Sequence, residues 1–502
     1  MKVAVVGAGV AGLSLAARLA QNGFEVDVYD LSSKVGGKMY QYTNEENISW
    51  DTGPTLISLP DEIRNTFKEI NYPCPELIPL NENCHLSFSD GTNWKIPLGT
   101  EKILSFFREL NTKNSEQLKH VFEIAKSIYD FAEKNLFHTD PPSFITMGFK
   151  SFKSGFIFKN SKIALTPYSE VVDGLVENKN LREFLYHFAS YVGLLPSVAQ
   201  GGILSIAHVE LGSEIVFPKG GVYSIALALY EACLFYKVKF FLNSKVISAG
   251  VEKQNKKDSW LIKYETQGKI NEIRYDILVS NSDPFVASCS WLKDSSFSSQ
   301  FSTKLKQNYF TASESQFVIL FDWTDSSDIS HHIKIFPESF RSSFEEVYIN
   351  KKIPEDPCVY LVWPHATDKS ISPRVLFISA MAPNTQAEYT WDENFSNLYA
   401  DKIMKICRNR LKLTFQGKIF KTISPLELEV RTQSLNGGIY SAAPTKFNPM
   451  HFLFSGLSDL KNLYFVGAGV HPGAGVTMVM KSARRIAEVI MKKYKSNAKG
   501  DS

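Results

Sequence analysis

The sequence lacks three features that would place it in a familiar class. No stretch approaches the roughly 18 consecutive apolar residues that a membrane-spanning helix requires. The net charge is only +3 and no basic block occurs, so we expect no nucleic-acid partner. The six cysteines show no CxxC spacing and no clustering, which predicts free thiols in a reducing compartment, with neither a metal site nor a disulfide framework.

The amino terminus also lacks the marks of a signal peptide. Three glycines and then Arg18 interrupt its apolar run, and no cleavage-like site follows. We therefore expect a cytoplasmic protein that is at most peripheral to a membrane. A clear nucleophile or acid–base pair is missing as well, so no catalytic residue is assigned. The 502 residues exceed one simple core and predict two domains.

A glycine-rich turn follows the first predicted strand. Residues 2–6 are almost all apolar, as in a strand buried on both faces of a parallel sheet, and a helical pattern from Gly12 ends near Gly23. A second strand, residues 25–30, closes with Asp30. This order of strand, helix and strand predicts the opening of a Rossmann-like α/β domain.

Four residues of this opening have the roles that a dinucleotide site needs. Gly7 permits the tight turn, Gly9 lets the backbone approach a pyrophosphate, and Gly12 permits close packing of the helix. The pyrophosphate would lie at the helix amino terminus, and Asp30 would accept hydrogen bonds from the ribose hydroxyls. The alternative is a glycine turn in the same fold with no ligand.

Two further turns extend the predicted site. Gly37 and Lys38 belong to a glycine doublet followed by a cation, which suits an extended diphosphate, although a surface turn with an ordinary lysine has the same pattern. A later turn could bring backbone donors near a flavin or ribityl chain, and by itself it is not specific. Its residues are Gly53, Pro54 and Thr55.

The chain returns to a glycine-rich pattern near its end. Gly467 and Gly469 follow a predicted strand, and Gly475 and Val476 open the last helix. A helix amino terminus directed at a flavin would stabilise the negative charge that develops on the ring. Glycine segments at both ends of the chain predict one long ligand, FAD. His471 is a candidate base, but such a residue more often orients a turn.

The separated segments predict an FAD-binding domain assembled from residues 1–75, 217–285 and 425–495. Residues 76–216 and 286–424 would form an inserted α+β domain that faces the substrate and the membrane. The predicted fold class is therefore α/β with an inserted α+β substrate domain.

Together these motifs resemble the carotenoid desaturases of the phytoene desaturase type, FAD-dependent members of the amine-oxidase-like flavoprotein superfamily. The segments that carry the resemblance occur in the family's order over nearly the whole chain: the Gly7 segment with Asp30, Gly36 to Lys38, Trp50 to Ile57, Phe217 to Ile225, Leu242 to Val246, Ser280 to Pro284, and Leu463 to Val476. Asp30 and Thr477 depart from the common pattern, in which Glu and Pro are frequent.

The resemblance implies a function and several contacts. Val246 would contact the adenine end through its backbone, and the Gly467 and Gly475 segments would line the diphosphate, ribityl chain and flavin ring. The implied activity introduces conjugated double bonds into a hydrophobic carotenoid by hydride transfer to flavin. Quinone or oxygen would then accept the electrons. Because the cation formed beside a polyene is delocalised, a dedicated base is not required.

A carotenoid substrate implies a membrane surface, and residues 143–162 are the candidate segment. Phe149, Phe152 and Phe156 would share one helical face beside several lysines, a pattern typical of helices that lie in a membrane interface. The alternative is a helix whose phenylalanines fill the core of the substrate domain.

Other functions on the same scaffold remain open. These are an amine oxidase, a retinoid saturase-like reductase and a prenyl-binding escort protein without FAD. The sequence also leaves open a thirty- or forty-carbon substrate, its hydroxylation, the number of desaturation steps and the oligomeric state.

Overall fold

The computed structural model describes residues 1–141, 144–155, 160–254, 257–307, 310–325, 327–445 and 453–497. The strands of these residues are β1 Lys2–Val6, β2 Glu25–Tyr29, β3 Tyr40–Thr43, β4 Ser49–Thr52, β5 Ile57–Ser58, β6 Leu77–Pro79, β7 Glu82–Ser87, β8 Asn93–Pro97, β9 Ile215–Pro218, β10 Lys239–Phe241, β11 Ser244–Gln254, β12 Lys257–Thr266, β13 Lys269–Tyr275, β14 Ile277–Ser280, β15 Phe310–Ala312, β16 Ser315–Trp323, β17 His332–Ile335, β18 Val359–Val362, β19 Val375–Ala382, β20 Gly417–Ile423, β21 Ala442–Pro444 and β22 Leu463–Phe465.

The α-helices lie between these strands and close the chain. They are α1 Val10–Gln21, α2 Asp61–Glu69, α3 Thr100–Leu110, α4 Thr112–Asn135, α5 Phe144–Lys153, α6 Ser161–Leu165, α7 Tyr168–Leu175, α8 Lys179–Tyr186, α9 Ser205–Gly212, α10 Tyr223–Phe235, α11 Pro284–Cys289, α12 Ser296–Lys306, α13 Phe340–Tyr348, α14 Glu393–Leu411, α15 Pro425–Thr432 and α16 Val476–Asn497. Among the described helices, none combines the length and the apolar character needed to cross a bilayer.

A five-stranded parallel sheet holds the two glycine-rich ends of the chain side by side. Its strand order is β10, β2, β1, β14, β22, so segments more than 400 residues apart in sequence lie in one sheet. Val3 and Val5 of the central β1 pack with α1, α10 and α16 on one face of the sheet, and Ala4 packs on the other face with residues of β12 and β13, so all three residues are fully buried. The carboxyl ends of β1, β2, β14 and β22 therefore share one edge.

A second, seven-stranded sheet has the order β20, β16, β19, β18, β17, β7, β8. It is antiparallel except where β17 runs parallel to β7. The buried residues of α3, α4, α8 and α9 form one apolar cluster with residues of β7 and β8. This sheet and these helices form the walls of a chamber next to the parallel sheet.

The predicted α/β fold class is confirmed, with local differences. Helix α1 begins at Val10 rather than Gly12. Residues 239–254 form two strands, β10 and β11, because Asn243 between them adopts a φ of 50°. The second of them, β11, turns into an antiparallel meander with β12 and β13.

Candidate active site

One continuous cavity of about 1340 Å³ begins at the carboxyl edge of the parallel sheet and extends into the chamber. Its wall contains every residue predicted to bind the cofactor except Gly12: Gly7, Gly9, Asp30, Gly37, Lys38, Gly53, Pro54, Thr55, Val246, Gly467, Gly469, Gly475 and Val476. The fold thus brings the amino-terminal and carboxyl-terminal motifs to one site.

The glycine segments meet around Asn281, which follows β14. A Cβ at Gly9 would lie 2.6 Å from Asn281 Nδ2, and one at Gly467 would lie 2.9 Å from Asn281 Oδ1. A Cβ at Gly12 would lie 2.2 Å from the carbonyl oxygen of Gly7, so this glycine sets the approach of α1 to the turn. Gly12 therefore shapes the site from outside the cavity wall.

Asp30 closes β2 at the cavity and is already engaged with the backbone. Its Oδ2 accepts from the amide of Ala8 at 2.6 Å, and its Oδ1 accepts from the amide of Ser32 at 2.7 Å. Burial raises the pKa of the Asp30 carboxyl, and these two amides oppose that rise. The carboxylate thus orients the first glycine turn and still lies at the cavity wall.

Two cations lie beside the glycine doublet. Lys38 Nζ donates to the carbonyl oxygens of Gly438 and Ile439, at 3.2 and 2.7 Å, and burial lowers the pKa of Lys38 to about 8. Arg431 donates to the carbonyl oxygen of Gly37 at 2.8 Å and also lines the cavity. Arg431 was not among the predicted residues, since nothing in its local sequence distinguishes it.

The turn at Gly53 connects the cofactor region to the second sheet. The Thr55 hydroxyl donates to the Tyr360 hydroxyl at 3.1 Å, and Tyr360 lies 2.7 Å from His332 Nδ1. Thr55 and Tyr360 both line the cavity. A side chain predicted for the cofactor thus contacts a strand of the chamber.

The last helix begins at the cavity. Gly475 has a φ of 110°, and the nearest atom to a Cβ placed there would be Met478 Cγ at 3.9 Å, so this glycine is required by its backbone rather than by crowding. His471 is buried away from the described cavity wall, and its Nε2 donates to the carbonyl oxygen of Leu136 at 2.9 Å. The geometry supports the orienting role for His471 rather than the catalytic one.

The observed wall has the chemistry that FAD requires. Two helices, α1 and α16, present their amino-terminal residues to it, and Lys38 and Arg431 supply positive charge beside the glycine turns. A Cβ at Gly37 would lie 3.1 Å from the Cα of Gly9, so glycine at this position favours the close approach of the two chain segments. These residues can hold a long dinucleotide in an extended form.

The family model for the flavin-containing amine oxidoreductases matches residues 10–491, which begin just after Gly9 and include Gly12, the chamber and the carboxyl-terminal glycine segment. The chain belongs to this family. It is a flavin-containing oxidoreductase, and FAD is its cofactor.

Curated relatives of this flavin-containing oxidoreductase carry the names of carotenoid enzymes. A 4,4'-diapophytoene desaturase (4,4'-diaponeurosporene-forming) of Staphylococcus haemolyticus is 26% identical over 98% of this chain and 99% of its own length. A 1-hydroxycarotenoid 3,4-desaturase of Flavobacterium sp. is 26% identical, covering 97% and 99%. The phytoene desaturase of Neurospora crassa is 26% identical, covering 97% and 84%. The predicted resemblance to carotenoid desaturases is confirmed.

Solved structures share the fold. A redesigned putrescine oxidase variant has a TM-score of 0.63 at 13% identity and covers 98% of this chain and 99% of its own. An oxidoreductase from Methanosarcina mazei has a TM-score of 0.60 at 15% identity, covering 97% and 100%. At this identity the likeness concerns the fold alone.

The chamber of the oxidoreductase is mainly apolar. Its walls come from α4, α5, α9 and the second sheet, and they include Ile128, Phe131, Met147, Ile203, Ile206, Val209, Val318, Phe340, Phe377 and Met381. Such a surface holds a hydrocarbon by the hydrophobic effect and offers few hydrogen bonds.

One polar cluster interrupts this apolar wall. It consists of Glu210 on α9, Lys334 on β17, and His187 and Tyr191 from the turn after α8, all of which line the cavity. Lys334 Nζ donates to Glu210 Oε1 at 2.7 Å, to His187 Nε2 at 2.8 Å and to the Tyr191 hydroxyl at 2.8 Å. No sequence motif marks this cluster, because its members are scattered over 148 positions.

The outer end of the chamber lies at α5 and α6. On α5, Met147, Gly148 and Ser151 line the cavity, whereas Ile145, Phe149 and Phe152 are 86%, 67% and 62% exposed. Leu165 of α6 also lines the cavity and is exposed. Phe156, predicted to share this face, lies outside the described residues.

Proposed function

We propose that the protein is an FAD-dependent carotenoid desaturase that introduces conjugated double bonds into a long polyene. The observation that carries this proposal is that one cavity is lined both by the dinucleotide residues and by the apolar chamber. Its volume exceeds the roughly 300–1,000 Å³ of ordinary small-molecule pockets. The names of the curated relatives support the same substrate class.

One set of site residues would bind the cofactor, and another set would hold the substrate. Bound FAD supplies the hydride acceptor. The chain's glycine turns, Asp30 and Val246 bind and orient the dinucleotide, with Lys38 and Arg431 as counter-charges for the diphosphate. The apolar chamber would hold the allylic carbon that gives up hydride, and the neighbouring carbon would release its proton to solvent water, so that the single bond between them becomes a double bond. No catalytic base is assigned.

The two sheets support the proposed division into domains. Residues 1–75, 217–285 and 425–495 contribute every strand of the parallel sheet, and residues 76–216 and 286–424 contribute every strand of the seven-stranded sheet. We propose that the first set binds FAD and that the second contains the carotenoid.

Expression in pigment-accumulating bacteria tests the proposed activity. Hosts that accumulate phytoene, neurosporene or a hydroxylated carotenoid would receive the gene, and their pigments would be separated and their spectra recorded. We expect products absorbing further to the red, because each desaturation lengthens the conjugated system. Products shifted to the blue would instead indicate a saturase. Unchanged pigments in every host, with FAD bound to the purified protein, would refute carotenoid chemistry.

We further propose that the outer face of α5 contacts the membrane from which the substrate enters. The helix has an apolar exposed face, Ile145, Phe149 and Phe152, and its opposite face lines the chamber. Lys153 and, on α6, Lys162 are exposed nearby and could approach anionic headgroups. A substrate that dissolves only in lipid could then pass from the bilayer into the cavity.

Co-sedimentation with vesicles of phosphatidylcholine and phosphatidylglycerol tests this surface. The double variant Phe149→Ser, Phe152→Ser should lose most of its binding and keep its flavin, because each exposed ring contributes on the order of 2 kcal/mol when it enters the acyl region. The control is Leu234→Ser with Phe235→Ser, two exposed residues on α10 that do not line the cavity. Equal binding of both double variants and the wild type would exclude α5 as the docking surface.

For reoxidation we propose a quinone or oxygen, since either can remove two electrons from the flavin. Anaerobic mixing of the reduced enzyme with a soluble quinone, compared with mixing with oxygenated buffer, distinguishes them by the rate at which flavin absorbance returns. An enzyme that neither reagent reoxidises would require another acceptor.

A further inference from the structure

The polar cluster at Glu210 is unusual because it lies in the wall of an apolar chamber. The side chains of Glu210 and Lys334 are only 2% and 6% exposed, and they form an ion pair at 2.7 Å. Burying such a pair costs several kcal/mol of desolvation for each ion, and a hydrocarbon substrate would give nothing in return. A polar group on the ligand would account for placing the pair at this wall.

The hydrogen bonds within the cluster show whether it has an unused donor or an unused acceptor. The three ammonium protons of Lys334 are directed at Glu210, His187 and Tyr191. His187 Nδ1 donates to the carbonyl oxygen of Phe184, so its Nε2 accepts. Glu210 Oε2 is buried without a hydrogen-bond partner in the described structure. The cluster has an acceptor to spare and needs a donor.

The charges of the cluster further restrict which chemical group of the ligand can be the donor. Lys334 and Glu210 neutralise each other, and burial together with the Lys334 charge lowers the pKa of His187 well below its usual range, so His187 is neutral. A ligand ammonium would leave one uncompensated charge in the chamber. A carbonyl oxygen accepts only and cannot satisfy Glu210 Oε2. A neutral hydroxyl can donate to Glu210 Oε2, and its oxygen can accept a hydrogen bond from the Tyr191 hydroxyl in place of the 3.3 Å contact that this hydroxyl makes with His187 Nε2.

We propose that the Glu210–Lys334–Tyr191 cluster binds a hydroxyl group on the polyene, so that the substrate is a hydroxylated carotenoid rather than a pure hydrocarbon. This inference rests on the proposed function and names the substrate class of that same chamber. Tyr191 and Glu210 are specificity-determining residues in this scheme, and the apolar walls hold the remainder of the chain.

Glu314 is the rival position for such a hydroxyl. It also lines the cavity and has a buried Oε2 without a partner in the described part of the chain. Burial raises the pKa of Glu314 to about 8, and no cation forms a described ion pair with it. A neutral carboxyl is a weaker acceptor than the charge-paired Glu210, so we place the hydroxyl at Glu210.

The test is binding of two matched polyenes to the purified FAD-loaded protein in detergent micelles. Neurosporene and its 1-hydroxy derivative would be titrated while the polyene quenches protein fluorescence. We expect the wild type to bind the hydroxylated polyene about tenfold more tightly, the effect of a hydrogen bond to a buried charged group. Tyr191→Phe, which keeps the ion pair, and Glu210→Gln should each reduce that preference to about twofold or less.

Two controls separate this cluster from other buried acids. Glu183→Gln alters a buried carboxylate that accepts from the Phe340 amide at 2.7 Å outside the cavity wall, and it should keep the full preference. Glu314→Gln should also keep it. A preference lost in Glu314→Gln but kept in Tyr191→Phe and Glu210→Gln would overturn the assignment to Glu210.

The binding measurement is independent of turnover, so the hydroxyl site and the desaturase activity are tested separately. Equal affinity for both polyenes refutes the hydroxyl site and leaves the desaturase proposal intact. Binding with the predicted preference but without any change of pigment supports the site and refutes desaturation. Failure to bind either polyene refutes both.

Discussion

The two ends of the cavity differ in whether backbone or side chains form the wall. The dinucleotide end consists mainly of backbone, with glycines at Gly7, Gly9 and Gly37 that let chains and a ligand approach closely. The chamber end consists of side chains, and its polar residues include the buried cluster of Glu210, Lys334, His187 and Tyr191. A site formed by backbone needs glycine, which lacks a Cβ, at fixed positions in the sequence. A site formed by side chains depends on which residues, far apart in the sequence, the fold brings together.

The largest expected effect is loss of the cofactor in Gly12→Ala. The new Cβ would lie 2.2 Å from the carbonyl oxygen of Gly7, so α1 or the turn must move away from the pyrophosphate position. We expect purified protein with little or no bound flavin, measured as visible absorbance for each polypeptide. Gly174→Ala in α7 is the matched control, because no atom lies within 4 Å of its Cβ position. Full flavin content in Gly12→Ala would show that the backbone end tolerates a shift.

The second effect concerns the folding stability of the chamber end. Removing one member of the buried pair, by Lys334→Met or Glu210→Gln, should lower the free energy of unfolding by about 3 kcal/mol or more, because an uncompensated polar or charged group stays buried. The double variant Lys334→Met, Glu210→Gln should lose less free energy of unfolding than the sum of the losses in the two single variants. Denaturant titration measures all three.

An exposed pair provides the contrast for that experiment. Lys113 and Glu177 lie 2.6 Å apart with side chains 62% and 66% exposed, so Lys113→Met should change stability little. Additive losses at Lys334 and Glu210 would mean that the two side chains act independently.

The smallest effect is a change of FAD affinity at Lys38. Lys38→Met should weaken binding about tenfold, the value of roughly one charged hydrogen bond. Burial lowers the pKa of Lys38 to about 8, so the cation is present below that pH and is lost as the pH rises through it. Wild-type affinity should therefore fall above pH 8, and the variant should show a flatter profile. FAD titration of apoprotein measures both, with the exposed Lys219→Met as control.

The residues that the sequence predicted for the dinucleotide end lie together in the cavity wall, with Gly12 behind it, and Arg431 is an addition that the structure makes. Glycine spacing after an apolar strand is a local signal, and the same backbone geometry is needed wherever a dinucleotide binds. The chamber end could not be predicted in this way. Glu210 lies in an ordinary helix and Lys334 in an apolar strand, and only the packing of α9 against the second sheet reveals that they form a pair. His471, a candidate base in sequence, instead contacts Leu136.

By itself the sequence determined the α/β class, the FAD motifs and their family, because these depend on periodicity and on glycine at fixed positions. The tertiary structure decided that both glycine ends share one sheet edge, that the cavity continues into an apolar chamber, and that a buried ion pair lies in its wall. The physical reason is that backbone conformation is set by residues adjacent in the sequence, whereas burial and charge pairing are set by residues adjacent in space.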